Sequence, residues 1–424
     1  MKESILHYVW QFKLFFQNSM QTSEGIPLKI IDIGKPNYDA GPDFFNAKIR
    51  IDDIIWAGNI EIHWRSSDWN KHGHQKNKAY NNVILHVVSE IDAEAFTADD
   101  KKIPQVQLRY PDSIDRNYES LLKDKKWIAC EDKIGQIPDI VIETWKNALL
   151  SERLQQKTSS ISELLDNSQQ HWEEAFYITL ARNFGFGVNN QPFENLAKSL
   201  PLSILGKHKD RLSDIEALLF GQSGLLSDVN TNAPYPNDLK RDFAFLQKKY
   251  GLTPIDASQW KLLRLRPDNF PHIRIAQFAS LIHSSSKLFS KIIDKPTINY
   301  LRKLFVCQPS EYWTKHYTFK KESHARTKRI GTKAIDALLI NTVVPFLFCY
   351  GEKKQEQEYK DIALSLLEEI PPENNAIINA WKTLNILSTS AYDSQALLQL
   401  KKEYCDNKKC LRCRIGHKIV EKKN

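Results

Sequence analysis

Apolar positions divide the chain into two stretches with different periods. Up to about residue 110 the apolar residues mostly alternate with polar ones, as on a half-buried strand; beyond about residue 136 they recur every three or four positions, as on a helix. In the first stretch, Ile5, Val9, Phe12 and Phe16 make one helical stripe, broken by Gly25 and Pro27. Residues 28–33 form a short apolar strand closed by Gly34 and Pro36. After a polar loop, Phe45, Ala47, Ile49 and Ile51 alternate with Asn46, Lys48 and Arg50, and residues 55–64 alternate again beyond Asp52-Asp53, which predicts a hairpin. Residues 69–80 are polar and read as a loop running into a helix. Residues 83–88 (VILHVV) read as a buried strand, and residues 105–109 as an edge strand. The predicted order is helix, three strands, helix, strand.

The second stretch predicts helices over residues 142–164, 172–183, 238–249, 273–293 and 360–369, with no internal repeat. The change of period places an α/β domain at 1–112, a connector at 113–135, a large, mostly α-helical domain at 136–400 and a basic, cysteine-rich tail at 401–424. A chain of 424 residues is long enough for two or three cores. No apolar run approaches the ~20 residues of a membrane span; the longest, residues 337–349, is interrupted by Asn341 and Pro345. The amino terminus, opening with Lys2 and Glu3, does not read as a signal peptide. Six cysteines are too few for a disulfide framework. These features predict a cytoplasmic protein without membrane contact.

The net charge of +8 changes the picture only through its placement. Residues 1–130 carry 17 basic and 18 acidic side chains, whereas residues 301–424 carry 22 and 14. Lys320, Lys321 and Arg326 lie in a run that also holds Tyr312, Trp313, Tyr317 and Phe319. Cations meet phosphates and aromatic rings stack on bases, so this run is a candidate nucleic-acid contact; a solvated face is the competing reading.

Candidate chemistry concentrates in the first stretch. Glu61 and His63, two apart on a strand, share a face. Asp43 opens the preceding strand. A three-residue hairpin loop would carry Asp43 across from His63, whereas a two-residue loop would set it opposite Ile62, on the wrong face. A shared site therefore requires an odd loop or a bulge. Two carboxylates on one face suit a hard divalent cation, and His63 is placed to orient or deprotonate a water. His72 and His74, with Asp68, are candidates for a second metal or for substrate contact, the second being favoured.

Gly41-Pro42-Asp43 and Glu61-Ile62-His63, within the order helix, three strands, helix, strand, resemble the PD-(D/E)XK nuclease superfamily. The resemblance covers residues 1–110. It implies Asp43 and Glu61 as ligands of Mg²⁺ or Mn²⁺, the Ile62 carbonyl as a third ligand and Glu3 as an outer one. The chain departs from that pattern at His63, where the superfamily has lysine; imidazole can handle a proton but supplies no permanent charge. The whole chain also resembles an uncharacterised bacterial family of unknown function.

Near the end stands Cys405-x₄-Cys410-x₂-Cys413-x₃-His417. Three thiolates and an imidazole match a closed structural Zn²⁺ site. The alternative is an iron–sulfur cluster with Cys130 as a distant fourth thiolate, as the resemblance to cluster-bearing nucleases of the same superfamily implies. The sequence thus leads to a metal-dependent nuclease whose helical domain binds substrate DNA or RNA. The alternative is an inactive, nuclease-derived nucleic-acid-binding or scaffold protein.

Overall fold

The computed structural model describes residues 2–422 apart from 19, 228, 230–232 and 321, so Lys321 lies outside the described residues. The chain divides into two compact units, Met1–Trp145 with Leu400–Asn424, and Lys146–Gln399. The connector and the cysteine-rich tail thus fold with the α/β residues.

The first unit begins with helix α1 (Lys2–Gln11). It stops before Phe12 and Phe16, which are exposed, and Lys13 adopts a left-handed φ of 54° that ends the helix. The predicted four-residue stripe is therefore a two-residue one, and the buried face is Ile5, Leu6, Val9 and Trp10. Strands follow at Leu28–Asp32 (β1), Lys35–Pro36 (β2), Phe44–Ile51 (β3), Ile54–Arg65 (β4), Val83–Glu90 (β5) and Gln105–Gln107 (β6). They form one sheet in the order β1-β3-β4-β5-β6, with β2 also on β3. The β1, β3 and β4 pairings are antiparallel, while β4–β5 and β5–β6 are parallel. Between β4 and β5 lie a one-turn helix, Asp68–Lys71 (α2), and two 3₁₀ turns, His74–Lys76 and Lys78–Tyr80.

The hairpin decides what faces what. Ile51 pairs with Ile54, so the loop has two residues, and this register runs unchanged to Ala47 opposite Gly58. There it slips by one, leaving Phe44 opposite Ile60. The extra residue is a β-bulge with Asn46 at φ 58°, a conformation asparagine tolerates better than most residues. Before the bulge Phe44 is buried and Phe45 only half-buried, the reverse of the predicted alternation. Phe44, Ala47, Ile49, Ile60 and Ile62 thus line one face of the sheet, and the shifted register directs Asp43 to the other, with Glu61 and His63.

The second unit is helical. Trp172–Phe184, Pro234–Tyr250 and Gln357–Glu369 match predicted segments. The predicted 273–293 helix is instead two, Pro271–Ser284 and Leu288–Asp294, separated by a serine-rich break with Lys287 at φ 52°. One helix, Thr332–Lys354, is long and apolar enough to cross a membrane by length and composition alone, and 67% of its most apolar window is buried inside the protein. It stays continuous through Asn341 and Pro345 because residues Leu339–Val343 widen into a π-turn. Pro345 has no N–H to offer the Asn341 carbonyl, and Asn183 Nδ2 donates to that carbonyl instead, at 3.0 Å.

Candidate metal centre

Each side chain at the sheet's polar face is positioned by a separate element. Asp43 ends a loop folded around Asn37, whose Nδ2 donates to the carbonyls of Asp39 (3.2 Å) and Pro42 (3.0 Å). Gly41, at φ 112°, gives that loop a turn a side chain would strain. Glu61 and His63 come from β4, and Glu61 pairs with His86 of β5, which pairs with Gln105 of β6. α2 and the turns after it place His72 and His74 over this row, with Trp69 packed on the His74 and His86 rings.

The two carboxylates are cross-braced through backbone. Glu61 Oε2 accepts the Asp43 N–H at 3.2 Å, and Asp43 Oδ2 accepts the Ile62 N–H at 2.9 Å. Imidazoles crowd both carboxylates. His74 Nε2 lies 3.2 Å and His63 Nε2 3.6 Å from Glu61 Oε1, and His7 Nε2 lies 3.4 Å from Asp43 Oδ2. One nitrogen from each of His63, His72 and His74 can be chosen so that all lie within 4.8 Å of one another, close enough to share an ion. His63 Nε2 is 3.1 Å from His72 Nδ1, and His63 Nδ1 is 2.8 Å from His86 Nε2. Gln105, its amide held by the Ala93 carbonyl at 3.0 Å, faces His86 Nδ1 at 3.4 Å. That arrangement suits a ligand imidazole held by a second imidazole behind it.

Burial and neighbouring charges set the electrostatics of this cluster. Burial, then the Asp43 and Glu3 charges, push the Glu61 carboxyl up to about 9. Burial also raises Asp43, partly offset by His7 and the Ile62 N–H. Burial and neighbouring imidazoles hold His63 down at about 2; burial holds His86 at about 3. Negative groups are driven to their acid form and basic groups to their neutral form. A divalent cation would reverse the first preference and suit the second, since a ligand carboxylate is ionised and a ligand imidazole neutral.

Glu3 stands one turn before His7 on α1, its pKa raised by burial and by Asp43 and lowered by His7 and His72, so it belongs to the rim of the site. Asp68 is committed elsewhere, accepting from the Arg65 N–H at 3.0 Å and Lys71 Nζ at 2.7 Å. His7, His86 and Gln105 were not anticipated. The sign available was a lone histidine inside the apolar VILHVV strand, and a histidine four residues after Glu3 on a helix.

A groove of ≈ 1190 Å³ in the same unit is lined by His7 and Asp43, by Tyr38, and by Lys408, Lys409, Arg412, Arg414 and Lys418. Of the expected helical-domain contacts, Arg326 pairs with Asp268 at 3.0 Å and Lys320 is exposed. Lys328 in the same run is buried, donating to the Thr314 carbonyl at 2.8 Å. The His417 N–H donates to the Cys413 carbonyl at 2.8 Å, its ring packs on Phe12 and Tyr8, at 4.1 and 5.2 Å, and its Nε2 sits 2.8 Å from Glu421 Oε1.

The model of the family described as "Protein of unknown function (DUF2851)" matches residues 3–376. The chain belongs to this family. No curated protein and no solved structure gives a match. The family match spans every residue of the carboxylate–imidazole site, while the three clustered cysteines lie beyond its end.

Proposed function

We propose that the protein is a divalent-metal-dependent hydrolase of phosphodiester bonds in nucleic acid, acting at Asp43, Glu61 and His63. The observation that carries this reading is a pair of cross-braced carboxylates, Asp43 and Glu61, next to three clustered imidazoles, with a groove lined with cations at Asp43. Asp43 and Glu61 would hold the ion, with His63 and His74 as further ligands. A mixed set of carboxylate and imidazole favours Mn²⁺ over Mg²⁺, which prefers oxygen and water alone. A bound divalent ion supplies Lewis-acid chemistry, drawing charge from a phosphate oxygen and acidifying a water.

The chain's own residues would do the rest. His63 is 2% exposed and both its nitrogens face other imidazoles, which suits a ligand better than the water-handling base first expected. His72, the exposed member of the trio, is the group placed to take a proton from an incoming water. Lys409, Arg412 and Lys418 would hold the phosphate backbone along the groove, and Tyr38 would offer a ring to a base. In this reading the basic tail does more of the substrate holding than the helical unit.

Binding without cleavage is the second reading, favoured by the absence of a lysine where His63 stands. The test is cleavage of DNA and RNA, single- and double-stranded, with Mn²⁺ and with Mg²⁺. Wild type should cleave with Mn²⁺, and Glu61→Gln should lower the rate by about a hundred-fold or more, given how much a transition state loses with one electrostatic partner. Equal rates in the two proteins would refute the assignment. Salt-sensitive binding that Arg412→Glu weakens, with no cleavage of any substrate, would establish the second reading instead.

A further inference from the structure

The apolar repeat over residues 273–293 would carry one helix through residues 285–287, but the chain breaks there between Pro271–Ser284 and Leu288–Asp294. Lys287 takes a left-handed φ of 52°, a conformation unfavourable for a residue with a Cβ. Beside this break, within the helical unit, lies a cavity of ≈ 330 Å³, and Ser285, Ser286, Lys287 and Leu288 themselves line it. Its inner wall is apolar, made by the buried Phe176, Leu180, Phe278 and Leu281. Tyr177 adds a ring but no free hydroxyl, since its O–H donates to the Leu200 carbonyl at 2.9 Å.

The mouth, by contrast, is charged in one sense. Lys209 and Lys287 line it and are both exposed. His283 Nδ1 lies 2.6 Å from the Lys209 carbonyl, which ties the Lys209 loop to the end of the Pro271–Ser284 helix. Lys291, four residues beyond Lys287, donates to Ser285 Oγ at 3.3 Å. Glu173 is the one acid in the lining, and its carboxylate is already engaged. Its Oε2 accepts the Phe289 N–H at 3.1 Å, and its Oε1 accepts the Ser290 N–H at 2.9 Å and the Ser290 hydroxyl at 2.8 Å. Neither Lys209 nor Lys287 pairs with a carboxylate among the described residues. The cavity therefore offers a dry apolar interior with two uncommitted ammonium groups at its wet edge.

We infer that this cavity binds a small amphipathic anion, an aliphatic body ending in a carboxylate, with the body among Phe176, Leu180, Phe278 and Leu281 and the head at Lys209 and Lys287. The division suits each half of such a ligand. The apolar body leaves water, while the carboxylate meets cations without being taken into an apolar interior. A cationic head would meet like charges, and a neutral one would gain nothing at the mouth. The volume lies at the low end of the roughly 300–1,000 Å³ of small-molecule sites, which fits one short chain. This inference is independent of the hydrolase reading, since it needs no chemistry at Asp43 or Glu61.

The test is calorimetric titration of the full chain with octanoate, octan-1-ol and octylammonium, which share a chain length and differ in the head. Octanoate should bind saturably at about one per chain. It should bind about ten-fold more tightly than octylammonium at low salt, a difference that shrinks as salt is added. Lys209→Glu combined with Lys287→Glu, at two exposed positions, should reverse that order. Gly206→Phe should remove binding of all three, because Gly206 lines the cavity and a Cβ there meets nothing within 4 Å, so the variant fills space without a clash at its own backbone. No saturable octanoate binding in wild type, or binding that Gly206→Phe leaves intact, would overturn the site. Equal affinity for octanoate and octylammonium, or an order unchanged by reversing both charges, would overturn the anionic class of ligand.

Discussion

In the helical unit Lys146 and Asp393 are both buried and lie 2.7 Å apart. Asp393 also accepts the N–H and hydroxyl of Thr389, at 2.8 and 2.9 Å. Burial alone would raise its carboxyl, but these partners hold it below the usual carboxylate range. In the α/β unit burial drives up both Asp43 and Glu61, the Asp43 charge raises Glu61 further, and the nearby His63 imidazole is held neutral. One cluster is balanced by a built-in cation; in the reading proposed above, the other would be balanced by a bound one. Glu216 of the helical unit shows a third solution. It has a hydroxyl partner, Ser310 Oγ at 2.7 Å, and burial pushes it up to about 7, where a proton does the balancing. What balances a buried charge is thus legible in what surrounds it.

The sharpest way to break this contrast is to remove the cation from the balanced cluster. Lys146→Met leaves Asp393 buried without its counter-ion and should cost ~3–5 kcal/mol of stability, read by urea unfolding. Glu61→Gln, measured without added metal, should be near neutral or stabilising, because it replaces a carboxyl that burial already keeps protonated by a neutral amide. If Glu61→Gln costs as much as Lys146→Met, the carboxylate–imidazole cluster is a structural network and not a site awaiting an ion.

A smaller effect separates the proton-balanced acid from both. The Glu216 pKa is raised from an ordinary 4.5 to about 7 on folding, so the folded state keeps a proton the unfolded state has lost. Its contribution is complete below the unfolded value and is lost as pH rises through about 7. At most ~3 kcal/mol is involved. Stability should fall over that window in wild type, and Glu216→Gln should flatten this part of the profile; an unchanged slope would show that the acid does not titrate there.

Much of the α/β unit was legible because period-two alternation reports a half-buried strand directly, and the order of strands followed from it. The site was legible only up to a condition. Spacing alone left Asp43 on the wrong face for a two-residue loop, and the resolution is a bulge at Asn46 that no alternation pattern displays. His86 was hidden by its neighbours, since one histidine in VILHVV reads as a blemish in an apolar strand until β4 sets Glu61 beside it. The basic run near residue 320 misled in part, because charge counted along a sequence does not reveal that Lys328 is buried against carbonyls. Cys130 could be offered only as a distant alternative, because 275 residues separate it from Cys405 and only folding brings the two segments together.

The most direct test of the central claim is calorimetric titration of the full chain with Mn²⁺, in wild type and in Asp43→Asn and Glu61→Gln variants. The account predicts a saturable site in wild type, with proton release as the ion displaces the proton that burial keeps on Glu61. It predicts weakening by at least about ten-fold in either variant. Saturable binding of equal strength in all three proteins, or none in wild type, would contradict it.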